Sequence, residues 1–235
     1  MYIREVVDQN IVSGPCEQCK VSEHPIFHIL ENEGLDYKKS CSSCLVYPSG
    51  EDILEAGTTV KGIYCILTGK AKVYRYGESG KEQIIRFVKP GDVLGFRTLV
   101  TENPLKVSAT TLEETSMCFI DSKDFKHMMD KSSGFRERVL KEIALDLTDL
   151  VEALTDMAQR TVRSRLCSAL LQLSELYGQE PINLSREDLS AFVGTAQESV
   201  IRLLSEMKKE KLIEVRGRKI TVVEHDKIQK MSLFG

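Results

Sequence analysis

No run of apolar residues in this 235-residue chain approaches the roughly 20 that a helix needs to cross a bilayer. The opening stretch, MYIREVVDQN, carries charges but lacks the apolar centre of a secretory signal. Both absences point to a cytoplasmic protein with no membrane partner. Disulfides are rare in the cytoplasm, so the seven cysteines read as thiols, ligands or core residues rather than a disulfide framework. Phosphate loop, nucleophile elbow and paired catalytic carboxylates are also missing. The Cys-x2-Cys pairs lack the βαβ setting of a thioredoxin-like redox site. No enzymatic activity is expected. Nor is there an excess of positive charge: the net charge of −3 argues against a general nucleic-acid binder.

What charge there is lies unevenly. Residues 160–220 hold 11 Lys/Arg against 8 Asp/Glu, a net +3, so the remainder is acidic. A mildly basic module on an acidic body suits a protein that touches DNA with one part only. Periodicity divides the chain into four regions. Residues 1–45 are polar and cysteine-containing, with a short helix expected over 26–33. Residues 46–125 alternate short apolar runs with glycines, among them GIYCILTG, KAKVYRYG and EQIIRFVKPG. That spacing predicts a small antiparallel barrel or sandwich, with Gly50, Gly57, Gly69, Gly80 and Gly91 at turns.

Residues 126–158 switch to a helical period. Val139, Ile143, Leu147, Leu150, Leu154 and Met157 follow steps of three and four and form one charge-free stripe, which predicts a seam between two copies of the chain. Such a seam implies a dimer even without an effector. Residues 159–235 read as helices followed by a hairpin. TVRSRLCSALLQLSELYG is amphipathic and closed by Gly178; LSREDLSAFVG starts at an N-cap, Ser185, with Asp188 three residues on. Gly194 separates it from TAQESVIRLLSEMKKEKLI, whose Val200, Leu203, Leu204 and Met207 face inward. Helix, glycine turn, helix and then IEVRGRKITVV as a wing make a winged helix-turn-helix. The fold class is α+β: an N-terminal antiparallel β-roll, a long dimerisation helix and a C-terminal winged helix-turn-helix.

The stretches PSGEDILEAG, GIYCILTGKAKVYR, KPGDVLGF and LSREDLSAFVGTAQESVIRLLSEMKKEKLIEVRGRKITV, in this order, resemble the Crp/Fnr family of bacterial transcription regulators. The resemblance spans roughly residues 46–230. It implies a β-roll resembling a cyclic-nucleotide-binding domain, and a homodimer that reads a near-palindromic double-stranded DNA operator through two recognition helices. RNA polymerase is the further partner expected of a transcription regulator.

The operator-reading residues follow from groove chemistry. Residues near the start of a recognition helix reach base edges. Arg202 can donate two parallel hydrogen bonds to guanine, Glu198 can accept from cytosine or orient that arginine, and Gln197 can pair with adenine. The family's E-x-x-x-R core stands here as Glu198 and Arg202. Ile201 can meet a thymine methyl or simply pack. Ser185, Arg186, Thr195, Ser199, Arg216, Arg218 and Lys219 are candidate phosphate contacts, which position without reading sequence.

The input is less legible. Cyclic-nucleotide-binding relatives place a glutamate and an arginine on the ligand, and this chain has Phe96 and Val107 at the matching positions. Gly95, Phe96, Arg97, Val107 and Ser108 would line an effector pocket, but an apolar residue cannot replace a charge-assisted phosphate contact, so cyclic AMP is not expected in the usual way. The stretches VLGF and ETSMCFI resemble the iron–sulfur branch of the family, with Cys118 at the place of its β-roll ligand. That branch's third N-terminal cysteine has no counterpart close behind Cys16 and Cys19.

Cys16-x2-Cys19 and Cys41-x2-Cys44, with 21 residues between the pairs, also fit a four-thiolate zinc site. The candidate ligands are Cys16, Cys19, Cys41, Cys44 and Cys118, holding an iron–sulfur cluster or, alternatively, zinc. A thiol switch and unconnected thiols stay open beside these. So does a regulator answering to a different small molecule in the β-roll, its cysteines structural or inert. Cys65 and Cys167 fall on apolar faces as core residues, and His24 and His28 read as exposed.

Overall fold

The computed structural model describes residues 11–12, 29–30, 33 and 41–233. Cys16, Cys19, His24, His28 and most of the helix expected over 26–33 lie outside the described residues. The chain forms two compact units: Met1–Arg75 with Phe87–Leu145, and Tyr76–Arg86 with Asp146–Gly235.

The first unit is built on two antiparallel sheets. One has the order β1-β2-β9-β4-β7, from β1 (Ile11–Val12), β2 (Cys41–Tyr47), β9 (Thr115–Asp121), β4 (Gly62–Thr68) and β7 (Val93–Leu94). The other runs β3-β8-β5-β6, from β3 (Asp52–Leu54), β8 (Ser108–Thr111), β5 (Ala71–Tyr76) and β6 (Glu82–Val88), with Tyr76 and residues 82–86 falling in the second unit. The roll thus starts earlier than the boundary expected at residue 45, because Cys41 to Cys44 already pair with β9.

All five predicted turn glycines have positive φ, between 75° and 95°. At Gly69 space excludes a side chain as well: a Cβ would stand 2.5 Å from the Glu114 carbonyl oxygen. Strand alternation sends side chains to two cores. Leu45, Ile66, Met117, Val73, Val88 and Ala109 fill the space between the sheets. Ile63, Cys65, Cys118 and Ile120 point the other way, against α1 (Phe96–Thr101), α2 (Ser122–Lys131) and the start of α3 (Ser133–Gln159). There Phe125 and Phe135 meet edge to face at 5.8 Å.

α3 corrects the expected seam. Val139 is fully buried in its own unit's core, and Ile143 packs against the same cluster, so neither is available to a second copy. The exposed apolar face lies one position on: Leu140, Ala144, Leu147, Val151, Leu154 and Ala158. These follow strict steps of four and three, the heptad spacing of a coiled-coil seam. Leu150 and Met157 flank it, also exposed. The sequence stripe was displaced because packing against α2 claims one edge of the apolar arc.

In the second unit, α4 (Val162–Tyr177) starts at an N-cap, Thr161, which accepts from the Ser164 N–H. It is followed by β10 (Ile182–Asn183), α5 (Arg186–Val193), α6 (Gln197–Lys209), β11 (Ile213–Arg216), β12 (Lys219–Val222) and α7 (His225–Leu233). The expected hairpin is a three-stranded sheet, β10-β12-β11, because β10 pairs Ile182 with Ile220. α7, absent from the sequence reading, packs on α4; the Ser164 hydroxyl donates to the Ser232 carbonyl at 2.8 Å.

Candidate nucleic-acid interface and cysteine site

α5 begins at Ser185, whose hydroxyl accepts from the Asp188 N–H at 2.8 Å and donates to the Asp188 carboxylate. It ends at Gly194, where φ of 71° and ψ of 49° make the left-handed turn that a residue with a Cβ adopts at a cost. The Gly194 and Thr195 N–H groups both return to the Ser190 carbonyl, at 3.0 and 3.1 Å, and fix the exit toward α6. α6 carries Glu198 in its first turn and Lys208 and Lys209 in its last, matching its dipole.

The inner face of α6 is Val200, Leu203, Leu204 and Met207, all buried. That burial forces Gln197, Glu198, Ile201 and Arg202 outward, where all four are exposed. Ser205, Lys208 and Lys209 extend the same face; Ser205 stands one helical step beyond Ile201, a signal the sequence already held. Thr195 and Ser199 are half-buried beside it.

Arg202 pairs with Glu206 at 2.8 Å, one turn along the helix, so Glu206 rather than Glu198 is its carboxylate partner. Glu206 is shared with Arg163 of α4 at 3.4 Å, and Arg163 also reaches Glu210 at 2.5 Å. The hydrogen bond to Glu210 holds the Arg163 guanidinium above its ordinary pKa despite partial burial.

The wing turns at Gly217, with φ of 60°. Arg186, expected at phosphate, donates instead to the Gly217 and Arg218 carbonyls at 3.0 and 3.3 Å. Burial, and then the neighbouring Arg218 charge, lower its pKa from the ordinary value. Arg186 therefore supports the wing, while Arg216, Arg218 and Lys219 stand exposed on it. Arg216 pairs with Glu214 at 3.0 Å. A second arginine of α4, Arg165, donates to the Val193 and Gly194 carbonyls at the end of α5 and to the Met157 and Arg160 carbonyls at and just past the end of α3. No local pattern announces the reach to Val193 and Gly194, which lie 28 and 29 residues along the chain.

The proposed effector residues do not converge. Phe96 is 6% exposed and belongs to the core on the helix side of the sheet. Val107 packs against the core between the sheets, and the Ser108 hydroxyl accepts from the Ala56 N–H at 3.1 Å. Gly95 caps α1 with φ of 94°, where a Cβ would stand 2.8 Å from the Gly62 carbonyl oxygen. Arg97 follows, half-buried.

Among the cysteines, register brings three to one level of the larger sheet: Cys44 and Cys65 lie directly opposite Cys118, on either side. Cys118 and Cys65 are buried and Cys44 half-buried. Cys118 is disulfide-bonded, where the sequence reading expected thiols, ligands or core residues; Cys44, Cys65 and Cys167 are thiols. Cys41 stands opposite Ile120, before a bulge in β2. Among the described residues no three metal-ligating side chains form a group. Thiolates are the donors that an iron–sulfur cluster or zinc takes; Cys118 in its disulfide is not one, and it would join such a centre only once reduced to the thiol. Cys167 stands apart: burial, only partly offset by Arg163, pushes its thiol up to about 11.

Comparison with known proteins finds a match to each of two parts of the chain. A family model described as the cyclic nucleotide-binding domain matches residues 44–132, and one described as the Crp-like helix-turn-helix domain matches residues 164–231. The chain is 24% identical over 225 residues to the fumarate and nitrate reduction regulatory protein of Vibrio cholerae, across 92% of this chain and 90% of that one. It is 26% identical over 221 residues to the anaerobic regulatory protein of Haemophilus influenzae, across 88% and 83%. FixK2 from Bradyrhizobium japonicum shares the fold with a TM-score of 0.73 at 20% identity, across 80% of this chain and 96% of that one. A Crp/Fnr-family transcriptional regulator from Eubacterium rectale does so at 0.72 and 18%, across 87% and 97%.

Proposed function

Because the chain belongs to the Crp/Fnr family of transcription regulators, we propose that it acts as a homodimer reading a near-palindromic operator, under the control of a cysteine-ligated redox centre. The observation that carries the DNA reading is the outward face of α6, where Gln197, Glu198, Ile201 and Arg202 stand over a fully packed inner face. In this reading Arg202 exchanges Glu206 for a guanine, and the exposed wing arginines Arg216 and Arg218 engage phosphates. The homodimer is supported by the heptad seam of α3. Leu140, Leu147, Val151 and Leu154 are 55–70% exposed, and no charge interrupts them. Such a seam forms without an effector, so the signal acts on the DNA-binding units rather than on assembly.

Two facts support the redox input: the relatives include an anaerobic regulatory protein, and Cys118 sits in the sheet with Cys44 directly opposite. Cys16, Cys19, Cys41, Cys44 and Cys118 are the ligand candidates. An iron–sulfur cluster held there would supply an oxygen-labile group; zinc would supply only a structural clasp. Cyclic AMP is disfavoured by Phe96 and Val107, both committed to packing. RNA polymerase is the partner of such a regulator at its promoters.

The test is metal and acid-labile sulfide analysis of protein purified without oxygen, with visible spectra before and after air. Iron with sulfide and a colour bleached by air, both lost in Cys118→Ser, is the expected result. Stoichiometric zinc, or neither metal, overturns the redox centre and returns the search for a signal to the β-roll.

A further inference from the structure

Arg165 sits in the first turn of α4 and makes four hydrogen bonds, all to main-chain carbonyls. Its Nε donates to Val193 at 3.0 Å and one terminal nitrogen donates to Gly194 at 3.3 Å. The other terminal nitrogen donates to Arg160 at 2.9 Å and Met157 at 3.3 Å. Val193 and Gly194 form the end of α5 and the turn into α6. Met157 and Arg160 belong to the last turn of α3 and the residue just past it. One guanidinium therefore grips two helix C-termini, where unpaired carbonyls concentrate partial negative charge.

The geometry suits arginine in particular. Its donors lie in one rigid plane, so fixing the plane on one pair of carbonyls fixes where the other pair must be. An ammonium on a flexible stem carries the charge but imposes no such angle. Arg163, two residues earlier, reaches only side-chain carboxylates of α6, which can follow it. The main-chain carbonyls on Arg165 cannot move without moving their helices.

We propose that Arg165 is the positioning residue that sets the direction of the recognition helix relative to the end of α3, and so the half-site spacing the dimer accepts. This rests on the reading of the chain as a dimer that binds a near-palindrome. If α3 supplies the two-fold axis, a fixed link from its last turn to the α5–α6 turn converts helix packing into a distance between two recognition helices.

The test uses the full chain and a duplex selected from a random-sequence pool by the wild-type protein. Affinities are measured for that duplex, for versions with one or two base pairs added at its centre, and for a single half-site. In Arg165→Ala, the preference for the selected spacing over the lengthened ones falls roughly tenfold, the scale of one to two lost charge-assisted hydrogen bonds. Half-site affinity stays within twofold. Arg165→Lys recovers little of the preference, and Arg165→Gln serves as the neutral variant should the alanine protein not fold. A spacing preference like the wild type's in these variants overturns the proposal. So does an equal loss on half-site and full site, which marks Arg165 as a mere support of the winged helix. A wild-type protein with no spacing preference overturns the dimeric reading itself.

Discussion

The winged helix and the β-roll treat their functional positions in opposite ways. In the winged helix, the side chains proposed to meet DNA stand outside the core; the Arg202 side chain is 66% exposed and held by one ion pair. In the roll, the positions that hold a nucleotide in related proteins are inside. Phe96 has joined the helix-side core and Val107 the core between the sheets. A partner can be exchanged on the first surface without disturbing the fold, because only water and Glu206 are displaced. At the second, any change is first a change in packing. The contrast explains why DNA reading can be assigned residue by residue, while the input is sought in sulfur chemistry rather than in a ligand cradle.

Substitutions can break or sharpen that contrast. The largest effect belongs to Phe135→Ala on the helix side of the roll. It empties a fully buried aromatic site beside Phe125 and is expected to cost about 3–5 kcal/mol in urea unfolding, without touching the DNA surface. Arg202→Ala should do the reverse. Operator affinity drops by about 1–3 kcal/mol in a binding titration, and thermal stability and dimerisation stay unchanged, since an exposed i,i+4 pair contributes little to the fold. An Arg202 variant that also unfolds more easily would erase the distinction between the two regions.

Ser185→Ala lies between the two. It removes the hydroxyl that accepts the Asp188 N–H and should cost about 1 kcal/mol of stability, seen as a lower melting temperature. Cys167 gives an effect of similar size that appears only at alkaline pH. Its folded thiol is pushed up to about 11 from 9.0, so between those values the unfolded chain loses a proton that the folded chain keeps. Stability contributed by the protonated thiol is therefore lost as pH rises past 9. The wild type's advantage over Cys167→Ala should narrow by about 1 kcal/mol by pH 10 in urea melts. At neutral pH Cys167 stays protonated and slow to alkylate.

Much of this architecture could be read from local patterns. Glycines with positive φ marked the roll's turns, and Ser185 and Gly194 marked the limits of α5, because capping and left-handed turns depend on a few adjacent residues. The outward face of α6 was legible for the same reason: four buried residues at helical spacing leave the others no inward direction. Assignments that depended on a distant neighbour shifted. Val139 and Ile143 belong to the apolar arc of α3 by sequence, yet α2 and the sheet cover them, which moves the exposed apolar stripe to Leu140, Ala144 and Val151. Arg186 reads as a phosphate contact and instead holds the wing turn, 31 residues away. β10 is two residues long and has no signal until β12 lies beside it.

The sequence by itself determined most of the strands and helices, several of their limits, and that the last third carries a winged helix-turn-helix. Those properties rest on backbone preferences and hydrophobic period, which act within a few residues. Tertiary structure decided which edge of α3 remains open, that Cys44 and Cys65 flank Cys118, and that one guanidinium joins the end of α3 to the recognition turn. Each of these is a meeting of residues far apart in the chain. Sheet register and helix packing set such meetings, and no local preference encodes them.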